Sequence, residues 1–202
     1  MKQKELEILL QKTPGYNNPK PGLEQYLTPA PIAADILFTA TQLGDIKDKT
    51  IADLGCGTGI FSIGAYLCGA AKVIGFDVDS NCINQARDYA YDKNYSINFS
   101  INEIRNVTIV CDTVITNPPF GAQKSNIQAD RAFILKGFEI AGVIYSLHLS
   151  KTIPFIEKMI ESLEGKITNS KNYDFTIKRT FDFHKKKSVT YNVTLLRIET
   201  SK

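Results

Sequence analysis

One short stretch constrains this chain more than any other. Asp53-Leu54-Gly55-Cys56-Gly57-Thr58-Gly59 straddles the end of an apolar run, Thr50–Leu54, and leads into a run with helical spacing, Gly59–Gly69. Glycines at a strand-to-helix turn permit positive φ and let the backbone come close to a ligand. A strand that ends this way is the first unit of an open parallel sheet, in which ligands bind outside the carboxyl ends of the strands. The rest of the chain continues the alternation. Strands are expected at Lys72–Phe76, Ile97–Ile101, Cys111–Thr116 and Gly142–Leu147. Helices are expected at Ser80–Lys93, with Ser80 as N-cap, and at Gln128–Ile140 and Lys151–Leu163. Repeated strand–helix units imply an α/β, doubly wound, mainly parallel seven-stranded sheet with right-handed crossovers. Two more segments, Tyr173–Phe183 and Ser188–Ile198, alternate apolar and polar residues around a basic turn. They read as an antiparallel C-terminal strand pair closing the sheet.

Upstream of the first strand lie a short amphipathic helix, about Lys2–Lys12, a Pro- and Asn-rich loop, Thr13–Pro21, and a helix, Pro31–Leu43. No repeat or interdomain linker is visible, and 202 residues suit one domain spanning 1–202. The net charge of +3 permits a nucleic-acid partner without demanding one. Cys56, Cys68, Cys82 and Cys111 form no C-x-x-C pair, and His148 and His184 are the only histidines. The cysteines therefore read as reduced, core-adjacent hydrophobes rather than metal ligands, and no metal is expected. The charged first segment lacks the apolar core of a signal peptide, and no apolar run is long enough to span a bilayer. A cytoplasmic location without membrane attachment is the expectation.

The glycine spacing is G-x-G-x-G, with an acid, Asp53, ahead of it. A pyrophosphate at the helix N-terminus wants no neighbouring anion. A sulfonium cofactor carrying an ammonium group does, so Asp53, Gly55, Gly57, Thr58 and Gly59 fit S-adenosylmethionine better than a nicotinamide dinucleotide. Asp77, 22 residues after Gly55 at the end of the second strand, can accept hydrogen bonds from both ribose hydroxyls.

The second motif, Asn117-Pro118-Pro119-Phe120, follows the strand Cys111–Thr116 directly. Two prolines cannot continue a central strand, but they make a stiff turn at the sheet's carboxyl edge. An exocyclic amine on a base is a poor nucleophile because its lone pair is delocalised into the ring. Two acceptors for its N–H groups turn that lone pair toward a methyl donor. The Asn117 side-chain oxygen and the Pro118 carbonyl can be those acceptors, held in place by Pro119, and Phe120 can stack on the base.

These motifs resemble the class I amino-methyltransferases. Further stretches, Leu23–Pro29 (LEQYLTP), Asn117–Gln123 (NPPFGAQ), Tyr145–His148 (YSLH) and Phe183–Ser188 (FHKKKS), are similar to the methyltransferase-like protein five family over nearly the whole chain. That resemblance implies methylation of adenine N6 in small-subunit ribosomal RNA. It implies cofactor contacts from Gln25, Thr28, Gly55, Thr58 and Asp77, so residues 1–45 form an extension that contributes to the site. Thr58 stands where some relatives have cysteine. The family's acid that recognises the cofactor adenine has Glu103, after Asn102, as its nearest counterpart. Eukaryotic members need a small zinc-binding activator protein, which makes such a protein a candidate partner.

Lys185-Lys186-Lys187, beside Phe183 and His184, reads from sequence alone either as a solvated hairpin tip or as a phosphate-binding patch. The resemblance favours RNA contact, and Lys20 could add to that surface. Other functions considered are amino methylation of guanine N2, a DNA base or a protein glutamine, and a non-catalytic RNA-binding module. A nicotinamide oxidoreductase is disfavoured by the glycine spacing, Asp53 and Asn117–Phe120.

Overall fold

The computed structural model describes residues 1–121, 129–178 and 188–202. Phe183, His184 and Lys185–Lys187 lie outside the described residues, as does the start of the expected helix at Gln128. The sheet has seven strands: β1 (Thr50–Leu54), β2 (Lys72–Asp77), β3 (Asn98–Ile101), β4 (Cys111–Thr116), β5 (Ala141–Leu149), β6 (Lys166–Lys178) and β7 (Ser188–Glu199). Their order is β3-β2-β1-β4-β5-β7-β6. The first five pair in parallel, and β7 runs antiparallel to both β5 and β6. This is the doubly wound, mainly parallel sheet expected from the strand–helix alternation. The order reverses between β1 and β4, so the glycine turn and the Asn-Pro-Pro-Phe turn leave adjacent strands at the topological switch point.

Side-chain alternation divides the core in two. Ile51, Ile115, Tyr145, Leu147, Val193 and Leu195 face α1 (Gln3–Leu10), α2 (Ala30–Gln42) and α3 (Ile60–Leu67). Ala52, Leu54, Val114, Ile144, Leu196 and Ile198 face α5 (Ala129–Ile140) and α6 (Ile153–Ser162). Each fully buried Leu or Ile contributes about 1.5–3 kcal/mol over leaving it in water. The remaining helix, α4 (Ser80–Asp92), packs Ile83, Ala86 and Ala90 against Phe99 of β3 and Cys56 of the glycine turn. Cys56, Cys82 and Cys111 are buried and free. No helix among the described residues is long and apolar enough to cross a membrane.

Two expectations need correction. The α4 N-cap is Asp79, whose carboxylate accepts from the Asn81 N–H at 3.1 Å, not Ser80. An ionised carboxylate at a helix N-terminus also meets the positive end of the macrodipole. Second, β6 starts at Lys166, seven residues before the expected Tyr173. Its first half is exposed and polar, and a bulge between Ile167 and Asn169 resets the alternation. Ile167 consequently joins the α5–α6 face, whereas Tyr173 and Phe175, also odd-numbered, join the opposite face. Lys20 bonds Asp79 at 2.8 Å near the start of α4, and the Lys185–Lys187 surface it was expected to join lies outside the described residues.

One buried polar cluster ties distant parts together. Asp45, just after α2, receives Arg197 of β7 at 2.8 and 3.1 Å and the Tyr145 hydroxyl at 2.6 Å. Its carbonyl accepts from Thr113 of β4 at 2.7 Å. With every partner hydrogen-bonded, the buried charge of Asp45 is compensated.

Candidate active site at the carboxyl ends of β1 and β4

A cleft opens above the switch point. Its walls include Tyr16, Gln25, Tyr26 and Thr28 from the N-terminal segment, Gly55 and Thr58 from the first turn, and Asp77 from β2. Asn117, Pro118, Pro119 and Phe120 line it from β4, and Phe133 from α5. The residues of both sequence motifs therefore meet in one place.

The glycine turn is built to receive something close. Gly55 and Gly57 have φ of +70° and +52°, a region that penalises a Cβ. A Cβ on Gly55 would lie 2.9 Å from the Phe133 ring, and one on Gly57 would collide with the Tyr16 hydroxyl. Asp77 holds the turn's shape: its carboxylate accepts from the Gly57 N–H at 2.8 Å and the Asp79 N–H at 2.9 Å. Burial raises the Asp77 carboxyl above the ordinary range, while those backbone N–H groups pull it back.

Asp53 has a different immediate task. Gly59 starts α3 without a capping side chain, and Asp53 takes that role from the strand. One of its oxygens, Oδ2, accepts from the Ser62 N–H at 2.8 Å and the Ser62 hydroxyl at 2.6 Å. The other, Oδ1, is buried with no partner among the described residues. Burial pushes the Asp53 carboxyl up to about 7, with Asp77 adding to the rise and the Ser62 bonds opposing it.

This shift makes a stability prediction. An unfolded aspartate titrates near 3.9, so between about 4 and 7 the folded state keeps a proton that the unfolded state has lost. Stability from this group is full below the lower value and disappears as pH rises through the upper one. Thermal melts of the ligand-free protein should therefore fall between pH 5 and 8. Asp53→Asn should flatten that slope and melt higher than wild type at pH 8. Parallel pH profiles for the two proteins would show that Asp53 is not the titrating group.

Asn117 is oriented from the N-terminal segment. Its Nδ2 donates to the Thr28 hydroxyl at 3.0 Å, which leaves its Oδ1 buried and without a partner among the described residues. Thr28 thus acts on Asn117 directly. Gln25 is buried and fully engaged: it donates to Asp79 at 2.8 Å and accepts from the Lys20 N–H at 2.7 Å. Thr58 donates its hydroxyl to the Pro14 carbonyl at 2.7 Å. Phe120 meets the buried Phe175 of β6 edge-on, ring centroids 5.7 Å apart.

Four expected residues do not line the cleft: Asp53, Gly57, Gly59 and Glu103. Gly57 and Gly59 belong to the turn itself, and Asp53 is buried at the end of β1. Glu103 heads a short turn, pairs with Arg105 at 2.5 Å and is half-exposed, while its neighbour Ile104 reaches the cleft. Sequence reasoning missed Tyr16, Asp79, Phe133 and Phe175. Only Asp79 carried a usable signal, an acid directly before a helix start.

The chemistry of these groups suits a cationic nucleoside cofactor. A carboxylate at the end of β2 can take ribose hydroxyls, a buried acceptor stands on Asp53 without a partner among the described residues, and the positive-φ glycines let the Phe133 and Tyr16 side chains approach the turn closely. S-adenosylmethionine fits that set.

A parallel sheet of this order with its last strand inserted antiparallel, carrying such a cleft, places the chain among the class I, Rossmann-like methyltransferases. Residues 32–140 match the family described as Methyltransferase small domain. An uncharacterized protein of Methanocaldococcus jannaschii is 39% identical over 98% of this chain and 94% of its own length. The rRNA N(6)-adenosine-methyltransferase METTL5 of Danio rerio is 36% identical over 98% of each chain. A crystal structure from Pyrococcus horikoshii, described as a candidate RNA methyltransferase, superposes with a TM-score of 0.92 at 38% identity, covering 99% of this chain and 98% of the other. The chain belongs to the methyltransferase-like protein five family.

Proposed function

We propose that this protein transfers a methyl group from S-adenosylmethionine to the exocyclic N6 of an adenine in small-subunit ribosomal RNA. The observation that carries the reading is the buried Asn117 Oδ1, left without a partner among the described residues while the amide nitrogen bonds Thr28 beside a rigid Pro-Pro turn. It is an acceptor waiting for a donor, and an adenine amino group is one. The activity named for the full-length Danio rerio relative agrees with this.

When bound, S-adenosylmethionine supplies an electrophilic methyl. Asp77 holds the ribose, and Asp53, ionised, favours the cationic amino-acid end. The target adenine leaves its stack, at a cost of a few kcal/mol, and lies against Phe120. Asn117 Oδ1 and the Pro118 carbonyl each accept one N–H, which points the nitrogen lone pair along the line of transfer. No general base is required before attack, since the proton is lost from the amine once it has become cationic. Phe183, His184 and Lys185–Lys187 are proposed to hold RNA phosphates and a neighbouring base. We place the protein in the cytoplasm, and the small zinc-binding activator is a candidate partner.

The test is transfer of labelled methyl to purified small ribosomal subunits and to naked ribosomal RNA, with mass-spectrometric mapping, run with and without the activator. The expected product is N6-methyladenosine at a single position. Replacing Lys185, Lys186 and Lys187 by Ala should flatten the salt dependence of RNA binding, because fewer counterions are released. Label on guanine N2 or on protein, or none under any condition, would sink the reading.

A further inference from the structure

The segment between α1 and the Gln25–Thr28 stretch crosses the cofactor side of the cleft and is held in an unusual way. Residues 14–19 make no backbone–backbone hydrogen bond among the described residues. They are tied instead by side chains of the elements beneath. Thr58 donates to the Pro14 carbonyl at 2.7 Å, and Gln85 of α4 donates to the Gly15 carbonyl at 2.9 Å. The Asn17 N–H reaches the Gln85 side-chain oxygen at 3.5 Å, and Lys20 pairs with Asp79 at 2.8 Å. Gly15, Asn17 and Asn18 are exposed, whereas Tyr16 turns inward. A strap fixed by a few side-chain bonds opens at lower cost than a paired strand.

Tyr16 is not core packing in the ordinary sense. Its hydroxyl rests over Gly57, where a Cβ would collide with it, and its ring lines the cleft shared with Asp77 and Asn117. No hydrogen bond from that hydroxyl is present among the described residues. Burial holds the phenol well above its ordinary range, and Asp77, Cys82, Cys56 and Asp53 push it the same way, so the hydroxyl stays protonated.

We propose that Tyr16 and the strap 14–20 cover the cofactor: the ring closes over its ribose and methionine part, and the strap unhooks from Thr58 and Gln85 to admit cofactor and release product. This rests on the methyltransferase reading of the same cleft. It makes the exchange of cofactor, rather than its affinity alone, a property of an N-terminal segment that has no part in methyl transfer. It also gives Gly57 a second reason to be glycine, beyond its backbone angle.

The experiment is surface plasmon resonance of S-adenosylhomocysteine on the immobilised full chain, with ligand-free thermal melts as the folding control. Tyr16→Ala should speed dissociation by about tenfold or more, since losses of contact appear chiefly in the off-rate. Tyr16→Phe keeps the ring and should restore most of the slow release. Gln85→Ala, at a side chain outside the cleft, should speed association and dissociation together by about threefold, leaving Kd within a factor of about two, as expected of a gate. If Tyr16→Ala fails to fold, the Gln85→Ala rates still decide. Dissociation within a factor of two of wild type in the folded variants overturns the cover. Failure of the wild type to bind S-adenosylhomocysteine at all overturns both the cover and the methyltransferase reading.

Discussion

Asn117→Ala should lose methyl transfer by about a hundredfold or more while keeping its fold and its cofactor. The Asn117 amide makes one hydrogen bond, to Thr28, and its other polar atom has no partner among the described residues. Removing it therefore gives up about 1 kcal/mol of folding stability, a small loss for a chain of this size. Its effect on the reaction is of another order. The adenine amine has one lone pair and two N–H groups, and both acceptors are needed to hold that lone pair in line. Without Asn117 the amine swings, and charge developing on it is left without a fixed dipole. Thr28→Val should fall between wild type and Asn117→Ala, because the amide is then free to turn its nitrogen toward the cleft. Single-turnover methylation at saturating cofactor reads the step directly, with a melt as control. Wild-type rates in Asn117→Ala would reduce Asn117–Phe120 to a rigid strand ending.

Asp77→Ala should remove measurable cofactor affinity. Two ribose hydroxyls would lose charge-assisted bonds, each about 1.5–3 kcal/mol, which is at least a tenfold change apiece. The Gly57 and Asp79 N–H groups would lose their acceptor as well, so the turn loosens just where the ligand must rest on it. Asp77→Asn retains an acceptor oxygen and should lose less. Calorimetric titration with S-adenosylhomocysteine measures this. A dissociation constant within a factor of about two of wild type in Asp77→Ala would remove Asp77 from the cofactor site.

What could be read from the sequence was what is written locally. The parallel strands are short apolar runs, each closed by a turn residue, so β1, β2 and β4 stood out. Both motifs could be placed at strand ends because glycine and proline constrain the backbone whatever surrounds them. The losses are of two kinds. The start of β6 was hidden by solvent on one side and by a bulge that breaks the period-two pattern at Ile167–Asn169. The covering residues were hidden by distance: Tyr16 meets Gly57, Phe133 meets Gly55, and Phe175 backs Phe120, each across a gap that no spacing rule spans. Asp53 shows a third limit. An acid before a glycine turn was legible as a ligand group, yet its capping of α3 through Ser62 depends on how the helix leaves the strand.

The polar cluster around Asp45 also bears on the order in which the molecule can become whole. Arg197 reaches back 152 residues to Asp45, and Thr28 meets Asn117 across 89. In space β7 lies between β5 and β6, yet in the chain it follows both. A growing polypeptide exposes α2 and the parallel strands early, with Asp45 and Tyr145 sheltered from nothing and neutralised by nothing. Contacts of such long separation are slow to close, because the loop entropy is lost before the contact is gained. The nascent chain thus carries a half-sheet with an open edge at β5 and an uncompensated carboxylate until β7 emerges. Synthesis that stops short of Arg197 leaves a product marked by both defects, and such exposed edges are what chaperones and proteases act on. In this protein the arrival of β7 closes the β5 edge and pairs Asp45 in one event.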